Sequence, residues 1–214
     1  MDKRALQEYA VWAKEELERQ ITQSLKLLGI NSQKDIKTAK IQGDVMIIHG
    51  DPNSYPKEVF NQRQSIIRLI ENFGYEHTIE EFAYTWFNRL IALRFLEVHN
   101  YLPHGFRVLS SQDGGIEPEI LKNLPLVASE LKLDLKYAEE LKHSGKIEEL
   151  FRYVLFRQGR ALSKILPMLF GEDSDYLELL LPKALLKGTT VVTKLISIDE
   201  ENFKDDVEVI GWLY

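Results

Sequence analysis

The sequence predicts a mainly α protein: a multi-helix domain with a buried central helix and a few short extended segments. Three observations carry this expectation. Residues from about Asp2 to Leu28 set Leu6, Tyr9, Ala10, Ala13, Leu17, Ile21, Leu25 and Leu28 at three- and four-residue steps, one buried stripe on a long helix. From Thr78 to His99, apolar side chains point in nearly every direction around a helical axis, so that helix must be enclosed by protein. The short apolar run Val45-Met46-Ile47-Ile48, bracketed by Gly43-Asp44 and Gly50-Asp51, reads as a strand or a buried extended segment.

Taken in order, the first helix stops at Gly29, and Asn31 or Ser32 is placed to cap a short helical turn through Ile36 and Ala39. Pro52 to Pro56 is expected to be a loop, because two prolines at that spacing oppose both helix and sheet. A second long helix runs from about Pro56 to Asn72 and stops before Gly74. Thr78-Ile79-Glu80-Glu81 has the form of a capping box opening the central helix, which ends at Asn100 to Gly105. Phe106 to Leu109 reads as a short extended piece before a polar turn, Ser110 to Gly115. Helical patterns then cover about 118–123, 135–143, 146–166 and 174–180, punctuated by Gly145, Pro167, Gly171 and Pro182. Without repeats or long linkers, residues 1–214 are expected to be one helical domain with sub-regions 1–75 and 76–214. The apolar closing run Val207 to Tyr214 lacks a polar tail and reads as a chain that continues.

Composition narrows the chemistry. A hydrophobic fraction of 44% and a charged fraction of 28% are those of an ordinary globular chain. The absence of cysteine removes disulfides, thiolate nucleophiles and cysteine-ligated zinc. The polar start at Asp2, Lys3 and Arg4 and the lack of any span-length apolar run predict a cytoplasmic protein with no membrane partner. With a net charge of −6, any contact to nucleic acid must come from a local patch.

The best such patch is Arg157, Arg160 and Lys164, at i, i+3 and i+7 on one helical face, with Arg152 nearby on the same element. These four are the candidates for contact with a DNA backbone, although a solvated helical face is the commoner explanation of such spacing. Arg94 and Glu97, three apart on the central helix, are expected to form a structural ion pair within one turn. Glu130-Leu131-Lys132 with Asp113 upstream has the letters of a metal-dependent nuclease, but Glu140-Leu141-Lys142 repeats them and the surroundings are helical. Asp51-Pro52-Asn53-Ser54-Tyr55 resembles the Asn-Pro-Pro-Tyr loop of amine methyltransferases, but it lacks the second proline and a preceding glycine-rich loop, so an ordinary turn is expected. His49, His77, His99, His104 and His143 form no paired metal motif, and neither Ser110-Ser111 nor Ser163 sits in a nucleophile elbow. No catalytic, cofactor-binding or metal-binding residue is therefore assigned.

The segment Ala83-Tyr84-Thr85-Trp86-Phe87-Asn88-Arg89-Leu90-Ile91-Ala92-Leu93-Arg94-Phe95-Leu96-Glu97-Val98, continuing through Asn100-Tyr101-Leu102-Pro103 to Arg107-Val108-Leu109-Ser110-Ser111, resembles the N-terminal region of the PglX family. These are adenine-specific DNA methyltransferases of BREX phage-defence systems. Its Asn-Arg-Leu centre and Arg-Phe-Leu-Glu end also resemble helices preceding the methyltransferase domain of type I and type IIG restriction-modification enzymes. The likeness runs from the helix at Leu6 to the closing Trp212-Leu213-Tyr214. It implies a parent enzyme that moves a methyl group from S-adenosylmethionine to the N6 amine of adenine, with the donor loop and the Asn-Pro-Pro-Tyr motif lying beyond Tyr214. This part would be non-catalytic and hold no cofactor, bracing its own C-terminal methyltransferase domain and contacting duplex DNA. The other class of function is a stand-alone interaction module docking further BREX proteins through an exposed apolar patch.

Overall fold

The computed structural model describes residues 3–171 and 176–204. Among them are eleven helices and five short strands, so the protein is mainly α. The chain divides into two compact units, each discontinuous in sequence. The larger comprises Met1–Ala13, Trp86–Asp173 and Lys183–Tyr214; the smaller comprises Lys14–Thr85 and Ser174–Pro182. Helices α1 (Lys3–Leu27) and α3 (Tyr75–Val98) each contribute to both.

In the smaller unit α1 buries Leu17, Ile21 and Leu25 completely, as its stripe requires. Carbonyls at its end meet side chains from later in the chain: the Tyr55 hydroxyl, whose one proton is shared between Leu27 O at 2.7 Å and Asp51, and buried Arg63, which donates through Nε to Leu28 O at 2.7 Å and through Nη2 to Lys37 O further on. Gly29 turns the chain at φ +68°, where an added Cβ would lie 2.8 Å from Ile48 Cγ2.

The residues after Gly29 form β1 (Ile30–Ser32) and β2 (Asp35–Ile36), an antiparallel hairpin rather than the expected helical turn. The Ser32 hydroxyl accepts from the amides of Lys34 and Asp35, and Asn31 bonds Asp35, so the supposed cap residues build a β-turn instead. A three-stranded antiparallel sheet follows in the order β3 (Ala39–Gln42), β4 (Val45–Ile48), β5 (Ser54–Pro56). Met46 and Ile48 of β4 face the core. The expected loop at Pro52 to Pro56 therefore ends in a strand; Pro56 is tolerated because β5 is at the sheet edge.

Helix α2 (Glu58–Phe73) buries Ile66, Ile67 and Ile70 and packs against the short α9 (Tyr176–Leu180). Helix α3 begins at Tyr75, one turn before the expected capping box. Thr78 is inside it, its hydroxyl bonded back to Gly74 O at 2.7 Å.

In the larger unit α3 places Trp86, Phe87, Leu90, Ile91, Ala92, Leu93 and Phe95 in the core, so the encirclement read from its composition is real. Tyr9 of α1 stacks on Phe87 with centroids 6.1 Å apart and donates to Val191 O at 2.9 Å. Short helices follow: α4 (Glu119–Lys122), α5 (Leu124–Leu131), α6 (Leu135–His143), α7 (Ile147–Ser163) and α8 (Pro167–Phe170). Helix α5 was not read from the sequence; Pro125 occupies its first turn, where a missing amide hydrogen costs nothing. Pro167 likewise opens α8. Residues Phe106 to Leu109 form no strand, because the amides of Val108 and Leu109 are taken by a side chain described below.

Helix α10 (Val191–Ile196) opens with a capping box between Thr190 and Thr193, and α11 (Glu201–Lys204) ends the described chain. Just before α10, three successive amides at Leu185, Leu186 and Lys187 converge on the Glu148 carboxylate of α7 at 2.8–3.1 Å. The closing residues 207–214 lie outside the described region. No helix of the described residues is long and apolar enough to cross a membrane.

Candidate nucleic-acid interface

Helix α7 begins with Glu148 and Glu149 and ends near Arg160, which matches its dipole at both ends. Leu150, Phe151, Val154, Leu155, Gln158 and Leu162 face the core, which leaves Arg157, Arg160 and the terminal Lys164 on the outer side. The two guanidinium groups are held by aromatic faces of the same helix. Arg157 lies 5.3 Å from the Tyr153 ring centre and Arg160 lies 5.0 Å from that of Phe156.

Helix α5 packs against α7 and ends at Lys132, which adopts a left-handed conformation with φ 52°. That turn is pinned to α7. The Tyr153 hydroxyl accepts from the Asp134 amide at 2.8 Å, and Tyr137 of α6 meets Tyr153 edge-on at 5.2 Å. Between the end of α5 and the outer face of α7 lies an open cavity of about 270 Å³, lined by Lys132, Arg157, Arg160, Lys164, Glu130 and two apolar residues. Four cations and one carboxylate thus line the same cavity, an excess of positive charge on its wall. Arg152 does not line this cavity. It lies five residues before Arg157, about 140° around the helix.

A second cluster is internal. Arg94 and Glu97, both essentially buried, pair at 2.7 Å. Glu97 Oε2 also accepts from the amides of Val108 and Leu109 at 2.9 and 2.8 Å, and its Oε1 accepts from Ser110 Oγ at 2.9 Å. Arg94 reaches Glu200 at 3.2 Å, and Arg107 grips both oxygens of Glu200. The Arg107 hydrogen bonds, with the charges of Arg107 and Arg94, hold the Glu200 carboxyl below the usual carboxylate range. This network fixes the bend after α3 and the start of α11.

The remaining motifs are structural as arranged. In the loop at Asp51, Oδ1 accepts from the Asn53 amide and side chain at 2.8 Å, and Oδ2 accepts from Tyr55 at 2.8 Å. Partial burial and the adjacent carboxylate push the Tyr55 phenol up to about 12. These groups are spent on the turn and on the end of α1. Asp113 is held by Ser111, Gly115 and Lys122, and those hydrogen bonds keep its carboxyl well below the usual range. It does not line the cavity of Glu130, so the letters that suggested a nuclease are not assembled.

No family model matches the sequence. Among curated proteins, the whole chain aligns with the adenine-specific methyltransferase BrxX of Escherichia coli O9:H4 (strain HS) at 34% identity over 218 residues. It also aligns along its full length with the adenine-specific methyltransferase PglX of Lacticaseibacillus casei (strain Zhang) at 30% identity over 235 residues. The chain is similar to one part of each of these two proteins. It spans 18% and 19% of the two relatives, about a fifth of their length.

The residues that carry the PglX resemblance in sequence fall on α3 and on residues 107–111, the two sides of the Glu97 network. Most are core residues, with Tyr84 and Tyr101 exposed, and none lines the basic cavity. The spacing on α7 disclosed three of the four cations there. Lys132 and Glu130 were visible only as part of a different motif, because their approach to α7 depends on packing between helices. Arg107, Ser110 and Glu200 of the internal network escaped for the same reason; Glu200 is 106 residues from Arg94.

Proposed function

We propose that this chain is the N-terminal, non-catalytic helical part of an S-adenosylmethionine-dependent N6-adenine DNA methyltransferase of a BREX phage-defence system. In this reading it works in the cytoplasm, braces its own C-terminal methyltransferase domain and holds duplex DNA by the phosphate backbone. The donor and the methyl-transfer residues belong to the rest of the parent protein. Full-length similarity to part of two adenine-specific methyltransferases supports the first half of this reading. The observation that carries the second half is the cavity with Lys132, Arg157, Arg160 and Lys164 around it in a chain of net charge −6. Methylating an adenine in duplex DNA requires extruding the base, so the flanking backbone must be held while the stack is open.

The test is duplex binding by fluorescence anisotropy across a salt series. We expect weak binding, with dissociation constants of about 10⁻⁴ to 10⁻⁶ M near physiological salt, and a log–log salt slope of roughly −2 to −4. The double substitution R157Q/K164Q should make the slope about two units shallower without lowering the melting temperature. A slope that is flat, or that the substitutions leave unchanged, removes the cavity from the DNA contact.

A second reading rests on exposed apolar side chains next to the same cations: Ile165 is 62% exposed and Met168 97%. As a protein-interaction module, the chain would dock other BREX proteins there. Partner retention that survives nuclease treatment and is lost on Met168→Asp would favour it.

A further inference from the structure

The smaller unit has a cavity of its own, of about 340 Å³, between the end of α2, the first turns of α3 and the start of α9. Its walls are aromatic. Phe82 and Tyr176 lie with ring centres 5.6 Å apart, and Phe73 stands beside His77 at 6.4 Å. Phe73 forms part of the rim and is 61% exposed, unusual for a phenylalanine with nothing against that face. The polar lining is mostly acceptor. The Thr78 hydroxyl donates to Gly74 O at 2.7 Å and the Thr85 hydroxyl to Glu81 O at 2.8 Å, so each turns only lone pairs outward. The Glu81 carboxylate lines the cavity, is exposed, and is in no ion pair among the described residues. Its neighbours Glu76 and Glu80 are exposed carboxylates as well.

Aromatic faces, hydroxyl lone pairs and an unpaired carboxylate together suit a ligand that is flat, cationic and donor-only. A guanidinium has these properties: five donors, no acceptor, and a plane that stacks on rings. A nucleobase needs donors for its ring nitrogens, and here only His77 and Tyr176 could supply one. We propose that this cavity receives an arginine side chain carried by a partner polypeptide, with the guanidinium stacked on Phe73 or Tyr176 and bonded to Glu81. Charge complementarity selects this occupant: Glu81 lines the cavity, exposed Glu76 and Glu80 stand on the same first turns of α3, and an apolar rim at Phe73 is left for the flanking peptide. The proposal is independent of the basic cavity and its role with DNA.

The experiment is titration of the full chain, labelled for amide nuclear magnetic resonance, with the peptide N-acetyl-Gly-Arg-Gly-amide. Control arms use the same peptide with neutral citrulline in place of arginine, and adenosine. The arginine peptide should shift amides at 77–85 and 176–177, and the citrulline peptide should bind roughly tenfold more weakly. E81Q and F73A change exposed side chains, so both variants should fold, and each should weaken the arginine peptide several-fold. Equal binding of arginine and citrulline peptides, full binding by E81Q, or tighter binding of adenosine at the same amides would each overturn the proposal.

Discussion

Glu97 is the residue with most to lose from substitution. Its carboxylate answers a buried arginine, a hydroxyl and two backbone amides at once. Glu97→Ala strips the two amides of their acceptor and leaves Arg94 with Ser110 Oγ and the partly exposed Glu200 as its remaining polar partners. Arg94→Ala leaves Glu97 its amides and Ser110. Breaking a buried pair from one side costs about 3–5 kcal/mol. Urea denaturation should therefore find both variants destabilised, with Glu97→Ala at the top of that range and Arg94→Ala below it. Equal losses would mean that the two amides contribute little.

Glu200 sets an acid dependence whose sign follows from the direction of its shift. Its ordinary value is 4.5, and the folded value is lower because Arg107 and Arg94 favour the carboxylate. The stabilisation is fully present above the ordinary value and is lost as pH falls through the folded one. The gap in melting temperature between the native chain and Glu200→Gln should be widest near neutrality and close below pH 4.5. A gap that stays constant through the acid range would show that Glu200 acts by shape and not by charge.

At the scale of elements, Glu148 is the counterpart of a helix cap placed in reverse. The side chain stands in the first turn of α7, and the amides it accepts belong to a loop 37 to 39 residues later. Glu148→Ala should cost about 2–3 kcal/mol, mostly from the amides of buried Leu185 and Leu186, since the Lys187 amide is exposed and can turn to water. Hydrogen exchange at Leu185, Leu186 and Lys187 should accelerate well before exchange in the α7 core; unchanged exchange at those three amides would refute the role.

The long helices were legible because their apolar stripes repeat over several turns, and β4 because four apolar residues sit between glycine turns. The hairpin at residues 30–36 was not legible. Its Ser32 and Asn31 have identical letters in a helix cap and in a β-turn, and only the partner of each oxygen decides between them. Thr78 deceived in the same way: its hydroxyl is inside a helix whose start is set by Gly74 one turn earlier. In the basic cavity, periodicity located the α7 cations. It carried no information about Lys132, which arrives through helix packing, and it grouped Arg152 with cations that face elsewhere.

For the molecule as a whole, net charge and local charge have opposite signs. At −6 the chain repels a polyanion at long range, yet the side chains that line the α7 cavity are four cations and one carboxylate. The DNA contact proposed here is thus of short reach. It fits a part that grips backbone already brought close by the larger protein, and the steep salt response expected above belongs to this scale.

Lys132 joins that electrostatic argument to the backbone. Ending a helix with a left-handed residue favours glycine, and a lysine there costs about 1 kcal/mol that glycine would not. Lys132→Gly should therefore raise the melting temperature while removing one phosphate contact and about one unit of salt slope. A residue kept only for the architecture would lose on both measures when replaced. Gain on one and loss on the other is the response of a position where durability has been traded for grip on an anion.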